Sequence, residues 1–217
     1  MIARWPRWVW LTVVLVFTGA VVAGVPAIRE PIQRAAGWAL VFDQPLEPAD
    51  IVVVTVAAGG AGVLEAADLV RSGIAPRVAV FADPPNAVGQ EFSRRGIPYE
   101  DGAAWSVRHL RLLGVTAIES IPRAVAGTED VGDVLPDWCD RHQFRSIIVV
   151  STPDHSRRLH RVLHRAMRDH QTRVRIRVTR HSAFDPDRWW ETRRGIRTEI
   201  VELSKLLFDI VRHPLSW

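Results

Sequence analysis

The stretch that decides the fold is Ser146-Ile-Ile-Val-Val-Ser-Thr-Pro-Asp-His-Ser-Arg-Arg158. Its first part is an unbroken apolar run, which predicts a β-strand buried on both faces. Ser151 or Thr152 then offers an N-cap oxygen, and Pro153 suits the first turn of a helix. Beyond the turn, apolar residues recur at helical spacing and predict one buried stripe: Leu159, Val162, Leu163, Ala166 and Met167. The stretch therefore predicts a strand, a tight turn and a helix.

Further predicted strands and helices alternate on either side of this stretch. Four further segments are rich in β-branched residues and predict strands: 51–56, 77–81, 117–121 and 173–179. The last of them alternates strictly, which is typical of a half-exposed strand near a sheet edge. Helical patterns separate the strands. This alternation predicts an α/β fold with a doubly wound, mostly parallel sheet.

Two helical faces are predicted from the C-terminal half. A helix from Gly195 to about Val211 has apolar residues that we expect on its buried side: Ile200, Leu203, Leu206, Leu207 and Ile210. Arg161, Arg165 and Arg168 form a stripe that we expect on a solvated helix face. Glu202 and Lys205, three residues apart, fit a surface ion pair.

The N-terminal segment has a different character. Residues 8–25 are apolar apart from two threonines and small residues, and Arg4 and Arg7 precede them. As a helix the run would span about 27 Å, close to the thickness of a bilayer core. An uncleaved anchor is favoured over a signal peptide, because the run is long and Pro26 makes a poor cleavage site. The positive-inside rule favours an extracytoplasmic domain on a single-pass protein of the cell membrane.

Length and composition set the domain boundaries and exclude some classes. The 217 residues predict an N-terminal anchor or uncleaved signal over 1–28, a linker over 29–48 with a short helical piece, and an α/β domain over 49–212. The single Cys139 excludes an internal disulfide and a cysteine-based zinc cluster. The net charge of +4 is mild, and no recognised motif accompanies it, so no nucleic-acid partner is expected.

The candidate ligand site follows from the predicted sheet. Ligands of doubly wound sheets bind beyond the carboxyl ends of the strands. The residues placed there by the predicted strand ends are the candidate ligand-binding residues: Gly59, Gly60, Asp83, Thr128, Glu129, Ser151, Arg157 and Arg158. The glycine cluster matches neither a P-loop nor a dinucleotide fingerprint, so turn geometry explains it equally well. Thr128 and Glu129 fit simple N-capping equally well.

The candidate chemistry centres on His155. An imidazole in the first helical turn is suited to general acid–base work near neutral pH, although it could also simply bond a backbone carbonyl. Thr152 and the helix N-terminus offer an anion site, Asp154 favours the positive end of the helix dipole, and Arg157 with Arg158 could clamp a phosphate or carboxylate. His155, Thr152 and Asp154 are therefore the candidate catalytic residues. No ligand spacing indicates a metal, and no cofactor is indicated.

Several short motifs, in this order, resemble the YdcF-like family, which includes the SanA and ElyC envelope proteins. They are Ala49–Val54 before a glycine-rich turn, Ala66–Pro76 before a strand, Gly127-Thr128-Glu129, Val149–Arg158, and Trp189-Trp190 with Glu202 and Lys205. The resemblance covers roughly residues 48–210. It departs from the family pattern where Thr55–Ala58 displaces the glycine cluster, and where Leu64 and Glu65 stand in place of an arginine expected early in the next helix.

The resemblance implies a Rossmann-like domain, often membrane-anchored, that serves cell-envelope or peptidoglycan integrity. It also implies a nucleotide-like ligand, since S-adenosylmethionine has been suggested for some members. Three functions stay open. The protein could be an enzyme on an anionic envelope precursor with His155 as acid and base. It could be a non-catalytic module that binds a ligand or an envelope partner. A cytoplasmic S-adenosylmethionine-dependent transfer is the third.

Overall fold

The computed structural model describes residues 24–98 and 101–215, together with the single positions Trp8, Trp10, Thr12 and Val14. The membrane anchor expected over residues 8–25 lies almost wholly outside these residues. Among the residues that are described, no helix combines the length and the apolar character needed to cross a bilayer.

A parallel sheet forms the centre of the described part of the chain. Its five strands lie in the order β3-β2-β1-β4-β5, and every neighbouring pair is parallel. The strands are β1 Ile51–Val54, β2 Val78–Phe81, β3 Ile118–Ile121, β4 Ser146–Ser151 and β5 Arg173–Val178. This confirms the predicted α/β class and the doubly wound, Rossmann-like sheet, with β5 at an edge as its alternation predicts.

Helices connect the strands and cover both faces of the sheet. They are α1 Pro26–Ala39, α2 Gly59–Arg71, α3 Ala87–Arg94, α4 Gly102–Leu112, α5 Thr128–His142, α6 Pro153–Ala166 and α7 Arg193–Arg212. Short 3-10 turns cover Val56–Ala58 and Trp189–Glu191.

The core has one apolar cluster on each face of the sheet. Val53 and Val149 point to the face covered by α5 and α6, where they pack with Trp138. Val54 and Val150 point to the other face, which α2 and α4 cover. Successive side chains of a strand point to opposite faces, so uninterrupted apolar strands such as β1 and β4 supply both clusters.

The strand order reverses between β1 and β4, and this fixes the position of the site. The two strands pair in register from Ile51 with Ile147 to Val54 with Val150. Just beyond β1, the hydroxyl of Thr55 donates a hydrogen bond of 2.9 Å to the carbonyl oxygen of Val150. Chain segments leave these two strand ends towards opposite faces, which opens a crevice at the carboxyl edge.

The segment expected as a linker, 29–48, is packed against the domain. Leu40 is buried with Phe184 and Leu206. The backbone N–H of Gln44 donates to the carbonyl of Ile176 in β5 at 3.1 Å, and the Gln44 side-chain oxygen accepts from Ile176 N–H at 2.9 Å. The segment therefore extends the fold beyond the edge strand.

The orientation predicted for α7 is confirmed for Leu206, which is buried, and for Leu203 and Ile210, which pack against the same cluster, but it is wrong for the other two residues. Ile200 and Leu207 were expected on the buried side, but they are 60% and 53% exposed. The buried polar residues of this helix are Glu199, Glu202 and Asp209. The reason is electrostatic, because α6 presents arginines to this face and buried carboxylates compensate their charge.

The solvated arginine stripe predicted on α6 is also wrong for two of its three members. The Arg161 side chain is 1% exposed and bonds Asp209, and Arg165 contacts the same carboxylate at 2.8 Å. Arg168 is exposed as expected. The interface of α6 and α7 is thus a layer of paired charges.

Candidate functional site

The candidate site is a crevice of about 240 Å³ at the carboxyl ends of β1 and β4. Four chain segments line it. They are Thr55–Ala57 after β1, Val125–Thr128 with Val131 at the start of α5, the end of β4 with the start of α6 (Ser151, His155, Arg158 and Leu159), and α7 through Lys205. Sites for drug-sized ligands are about 300–1,000 Å³, so this crevice is slightly smaller than that range.

Two helices begin at the crevice. The N-caps of α5 and α6 are Gly127 and Thr152, and among the described residues no side chain caps either N-terminus. The first N–H groups of a helix have no partner within the helix, and the dipole makes this end positive. The helix dipoles favour a negatively charged group at these ends, where the first turns already carry the acidic residues Glu129, Asp130 and Asp154.

His155 is held at the crevice by a carboxylate of another helix. Its Nδ1 lies 2.9 Å from Oε2 of Glu202, at an angle that suits a charge contact better than an aligned hydrogen bond. Its Nε2 lies 3.4 Å from Oδ2 of Asp154. The Glu202 side chain is 5% exposed and that of His155 is 23% exposed, so the pair is sheltered and only the imidazole reaches the surface.

Glu202 is the centre of the charged cluster. Burial alone would raise the pKa of its carboxyl group, but contacts with His155 and Lys205 and the charge of Arg158 lower that pKa to about 2. Glu202 is therefore ionised at every physiological pH. It supplies a fixed negative charge behind the imidazole.

Two permanent cations complete the cluster. Arg158 Nη2 lies 3.3 Å from Oε2 of Glu202, and Lys205 Nζ lies 2.6 Å from Oε1. The Arg158 side chain is only 14% exposed, whereas that of Lys205 is 50% exposed. Both side chains line the crevice, and that of Lys205 is the more accessible of the two to a bound anion.

Several predicted residues lie together in this crevice, namely Thr128, Ser151, His155 and Arg158. Thr152 directly follows Ser151 as the N-cap residue, yet its hydroxyl does not cap the helix. The Thr152 Oγ1 atom is buried and has no hydrogen-bond partner in the described part of the chain. Asp154 lies beside His155 in the same turn.

Gly59, Gly60 and Asp83 line a second, adjacent crevice of about 330 Å³. The two crevices share Thr55 and Val56, so they meet at the carboxyl end of β1. Asp83 already has a structural task, since its Oδ1 accepts a hydrogen bond of 2.9 Å from Gly102 N–H at the start of α4. These predicted residues therefore belong to the same edge but not to the cluster around His155.

Arg157 and Glu129 lie outside both crevices. Arg157 donates hydrogen bonds of 2.6 Å to the carbonyl oxygens of Ala39 and Val41, and so holds the end of α1. Glu129 has a side chain that is 64% exposed, and within the described part of the chain its one ion pair is with Arg165, at 3.6 Å. Of the two arginines expected to bind a phosphate or carboxylate, only Arg158 lines a crevice among the described residues.

Glu199 was missed by the sequence reasoning. It is 2% exposed, and neither of its carboxylate oxygens has a hydrogen-bond partner within the described residues. Burial, and secondly the negative charge of Asp154, raise the pKa of Glu199 to about 7. A buried carboxyl that titrates near neutral pH thus lies close to the Asp154–His155 turn.

No family model and no curated protein matches this chain.

The arrangement suits proton transfer at an anionic group. Two helix N-termini and two cations favour a negative charge, and an imidazole backed by a carboxylate lies among them. Among the described residues, no group of three or more histidine, cysteine, aspartate or glutamate side chains is placed to hold a metal ion.

Proposed function

We propose that this protein belongs to the YdcF-like type of membrane-anchored envelope proteins. On this proposal it acts on a phosphorylated or nucleotide-like ligand that binds in the crevice at the ends of β1 and β4. The ligand is an envelope or peptidoglycan precursor, and the domain works on the extracytoplasmic side of the cell membrane.

The observation that carries this proposal is the contact between His155 and Glu202 at the crevice wall, 2.9 Å long. A carboxylate facing one ring nitrogen fixes the orientation of the imidazole. Because Glu202 faces Nδ1, the proposal assigns proton exchange with a ligand to Nε2, which lies 3.4 Å from Oδ2 of Asp154. Lys205 and the two helix ends would hold the anionic group beside it.

A second candidate function is a non-catalytic module that binds a ligand or recruits an envelope partner. One observation favours it. His155, Arg158 and Lys205 all contact Glu202, so the cluster could serve only to join α6 to α7. Under this candidate the crevice binds an anion, but no bond in the ligand is made or broken.

Thermal unfolding of the full chain in detergent, followed by tryptophan fluorescence, tests the site. The ligands are inorganic phosphate, nucleotides, S-adenosylmethionine, a polyprenyl phosphate mimic and peptidoglycan precursors. A ligand at 100 times its dissociation constant stabilises the folded state by about 2.7 kcal/mol. We expect this stabilisation in the wild type and its loss in Arg158→Ala.

Matched controls come from the same helix. His164→Ala and Arg168→Ala remove the same residue types at exposed positions outside the crevice, and both should keep the stabilisation. A turnover assay then separates the two candidates. His155→Ala that binds the ligand but no longer converts it supports the enzyme, whereas a bound ligand that the wild type never converts supports the module. If no ligand in the panel stabilises a folded wild type, the anion site itself is wrong.

A further inference from the structure

The outer side of α7 has an unusual composition. Its acidic residues, Glu199, Glu202 and Asp209, are all turned inward, with 2%, 4% and 4% of their surface exposed. The structure describes the whole of α7, and apart from Ser204 every exposed residue of this helix is apolar or basic. An ordinary solvated helix face mixes both signs of charge. The composition of the outer side of α7 therefore differs from that of a solvated helix face and indicates a surface that contacts another molecule.

The apolar part of this side is a stripe that only Ser204 interrupts, within a helix that the structure describes in full. Ile196, Ile200, Leu207 and Val211 follow one another at spacings of four, seven and four residues, which places them on one side of a helix. They are 39%, 60%, 53% and 81% exposed, and Phe208 beside them is 65% exposed. Leu215, just beyond the helix end, is 87% exposed. Large exposed apolar surfaces of this kind mark sites of contact with a protein or a membrane.

Basic side chains flank the stripe along the helix. They are Arg193, Arg194, Arg197 and Arg212, all at exposed positions. An amphipathic helix with large apolar residues on one side and arginines around them is the pattern that lies in the headgroup region of an anionic bilayer. Self-association fits less well, because a two-fold interface would set the arginines of one copy against those of the other.

The neighbouring helix points to the same occupant. α1 begins at Pro26, immediately after the apolar run of residues 8–25. It packs on the side of the molecule that carries α7, through Leu40 against Leu206 and through Trp189 Nε1, which donates 2.7 Å to the carbonyl of Gln33. Its outer residues Ile28 and Ile32 are 41% and 53% exposed. The apolar N-terminal sequence thus joins the domain on the side where apolar residues of both helices are exposed.

From these observations we propose that the outer face of α7 lies on the headgroup region of an anionic lipid bilayer. The stripe from Ile196 to Val211 enters the boundary between headgroups and acyl chains, and the flanking arginines contact lipid phosphates. The face is distinct from the crevice. It fixes the orientation of the domain relative to the membrane.

The test places a probe on the stripe in the full chain. Val211→Cys is labelled with a polarity-sensitive fluorophore, since position 211 is 81% exposed and Cys139 is buried. The protein is reconstituted into phosphatidylcholine vesicles with or without phosphatidylglycerol, and a lipid with a nitroxide near its headgroup serves as quencher. Leu112→Cys, at a position 78% exposed at the end of α4, is the matched control.

We expect the label at 211 to be quenched and its emission shifted to the blue in vesicles with phosphatidylglycerol, while the label at 112 stays in water. Arg197→Gln with Arg212→Gln should weaken the quenching, since each basic residue near an anionic surface contributes about a fivefold factor. The proposal is overturned if the label at 211 is not quenched, or if both positions are quenched alike. A blue shift that grows with protein concentration without lipid quenching would also overturn it, in favour of a second copy of the chain.

Discussion

Oε2 of Glu202 on α7 lies 2.9 Å from Nδ1 of His155 on α6, and the two side chains join the helices at the wall of the crevice. The carboxylate contributes to both folding and chemistry, because it neutralises two cations and faces the imidazole. The pH dependence of the stability of a variant at position 202 measures its contribution to folding.

Glu202→Gln should lower the free energy of unfolding by about 3 kcal/mol near neutral pH, because the sheltered Arg158 loses its counter-charge. The pKa of Glu202 lies at about 2, below its ordinary value of 4.5, so its stabilising effect is present above 4.5 and is lost as pH falls towards 2. Urea unfolding as a function of pH measures this. The difference from wild type should shrink in that acidic window.

Glu129→Gln is the control for this measurement. The Glu129 side chain is 64% exposed and its only ion pair in the described residues is 3.6 Å long, so we expect a change below about 0.5 kcal/mol. A Glu202→Gln variant as stable as this control at neutral pH would show that the cluster contributes nothing to folding.

Glu199 predicts the opposite pH dependence. Burial and the charge of Asp154 raise its pKa from 4.5 to about 7, so the folded state holds this proton more tightly than the unfolded chain does. Its contribution to stability is complete below 4.5 and is lost as pH rises through 7. Glu199→Gln keeps the shape without the charge. We expect it to gain about 3 kcal/mol relative to wild type between acidic and mildly alkaline pH.

Glu191→Gln, an exposed carboxylate just before α7, provides the comparison. Its difference from wild type should stay flat over the same pH range. If the Glu199→Gln curve runs parallel to the wild-type curve, Glu199 is not protonated in the folded protein near neutral pH, and a partner must reach its carboxylate.

The strands and the position of the crevice could be predicted from the sequence, whereas the buried face of α7 could be predicted only in part. Runs such as Ile51–Val54 and Ile147–Val150 have a local cause, since only a strand covered on both faces tolerates them. α7 carries two stripes at helical spacing, one apolar through Ile200 and Leu207 and one acidic through Glu202 and Asp209. Hydrophobicity favours burial of the first. The acidic stripe is buried instead, because it pairs with arginines of α6. Only the packed structure brings the two helices together.

The same reason explains the mixed outcome among the predicted site residues. His155 and Arg158 face the crevice because they are three residues apart at the start of α6. Arg157 points elsewhere because its helical position turns it towards α1, whose last carbonyls accept its hydrogen bonds. One signal for the missed charges was available. The first and last of the arginines Arg158, Arg161 and Arg165 are seven residues apart on α6, and the acidic residues Glu202 and Asp209 are also seven residues apart on α7. Matching spacings of opposite charges indicate two helices that can pair.

The Arg161–Asp209 pair predicts strong non-additivity. Their side chains are 1% and 4% exposed, and Asp209 also contacts Arg165 at 2.8 Å. Asp209→Ala leaves a buried guanidinium group without its carboxylate, so we expect a loss of about 3–5 kcal/mol. Replacing both partners, with Arg161→Met and Asp209→Leu, removes the more buried of the two guanidinium groups that contact Asp209 and should cost less than Asp209→Ala, while Arg165 still loses this carboxylate.

A double-mutant cycle in urea at fixed pH measures this coupling. Arg212→Ala, at an exposed position of the same helix, should change stability by less than about 0.5 kcal/mol. Strictly additive losses from the two single variants would mean that solvent reaches this pair and that the charged layer between α6 and α7 is open.

Lys205 separates ligand binding from stability. Its Nζ lies 2.6 Å from Oε1 of Glu202, but half of its side chain is exposed, so the ion pair should contribute at most about 1 kcal/mol to folding. At the crevice it is the most accessible cation among the residues that the structure describes as lining it. Lys205→Ala should therefore keep its stability and bind inorganic pyrophosphate about tenfold more weakly, because a hydrogen bond to a charged group contributes about 1.5–3 kcal/mol.

Calorimetric titration with pyrophosphate at low and high salt measures this effect, with Arg212→Ala as the control for a lost surface charge. Salt screens exposed charges, so the gap between Lys205→Ala and wild type should narrow at high salt. Equal weakening in both variants would attribute the effect to the overall charge of the protein. Weaker binding confined to Lys205→Ala would show that the anion binds next to Glu202 and His155, within reach of the imidazole ring.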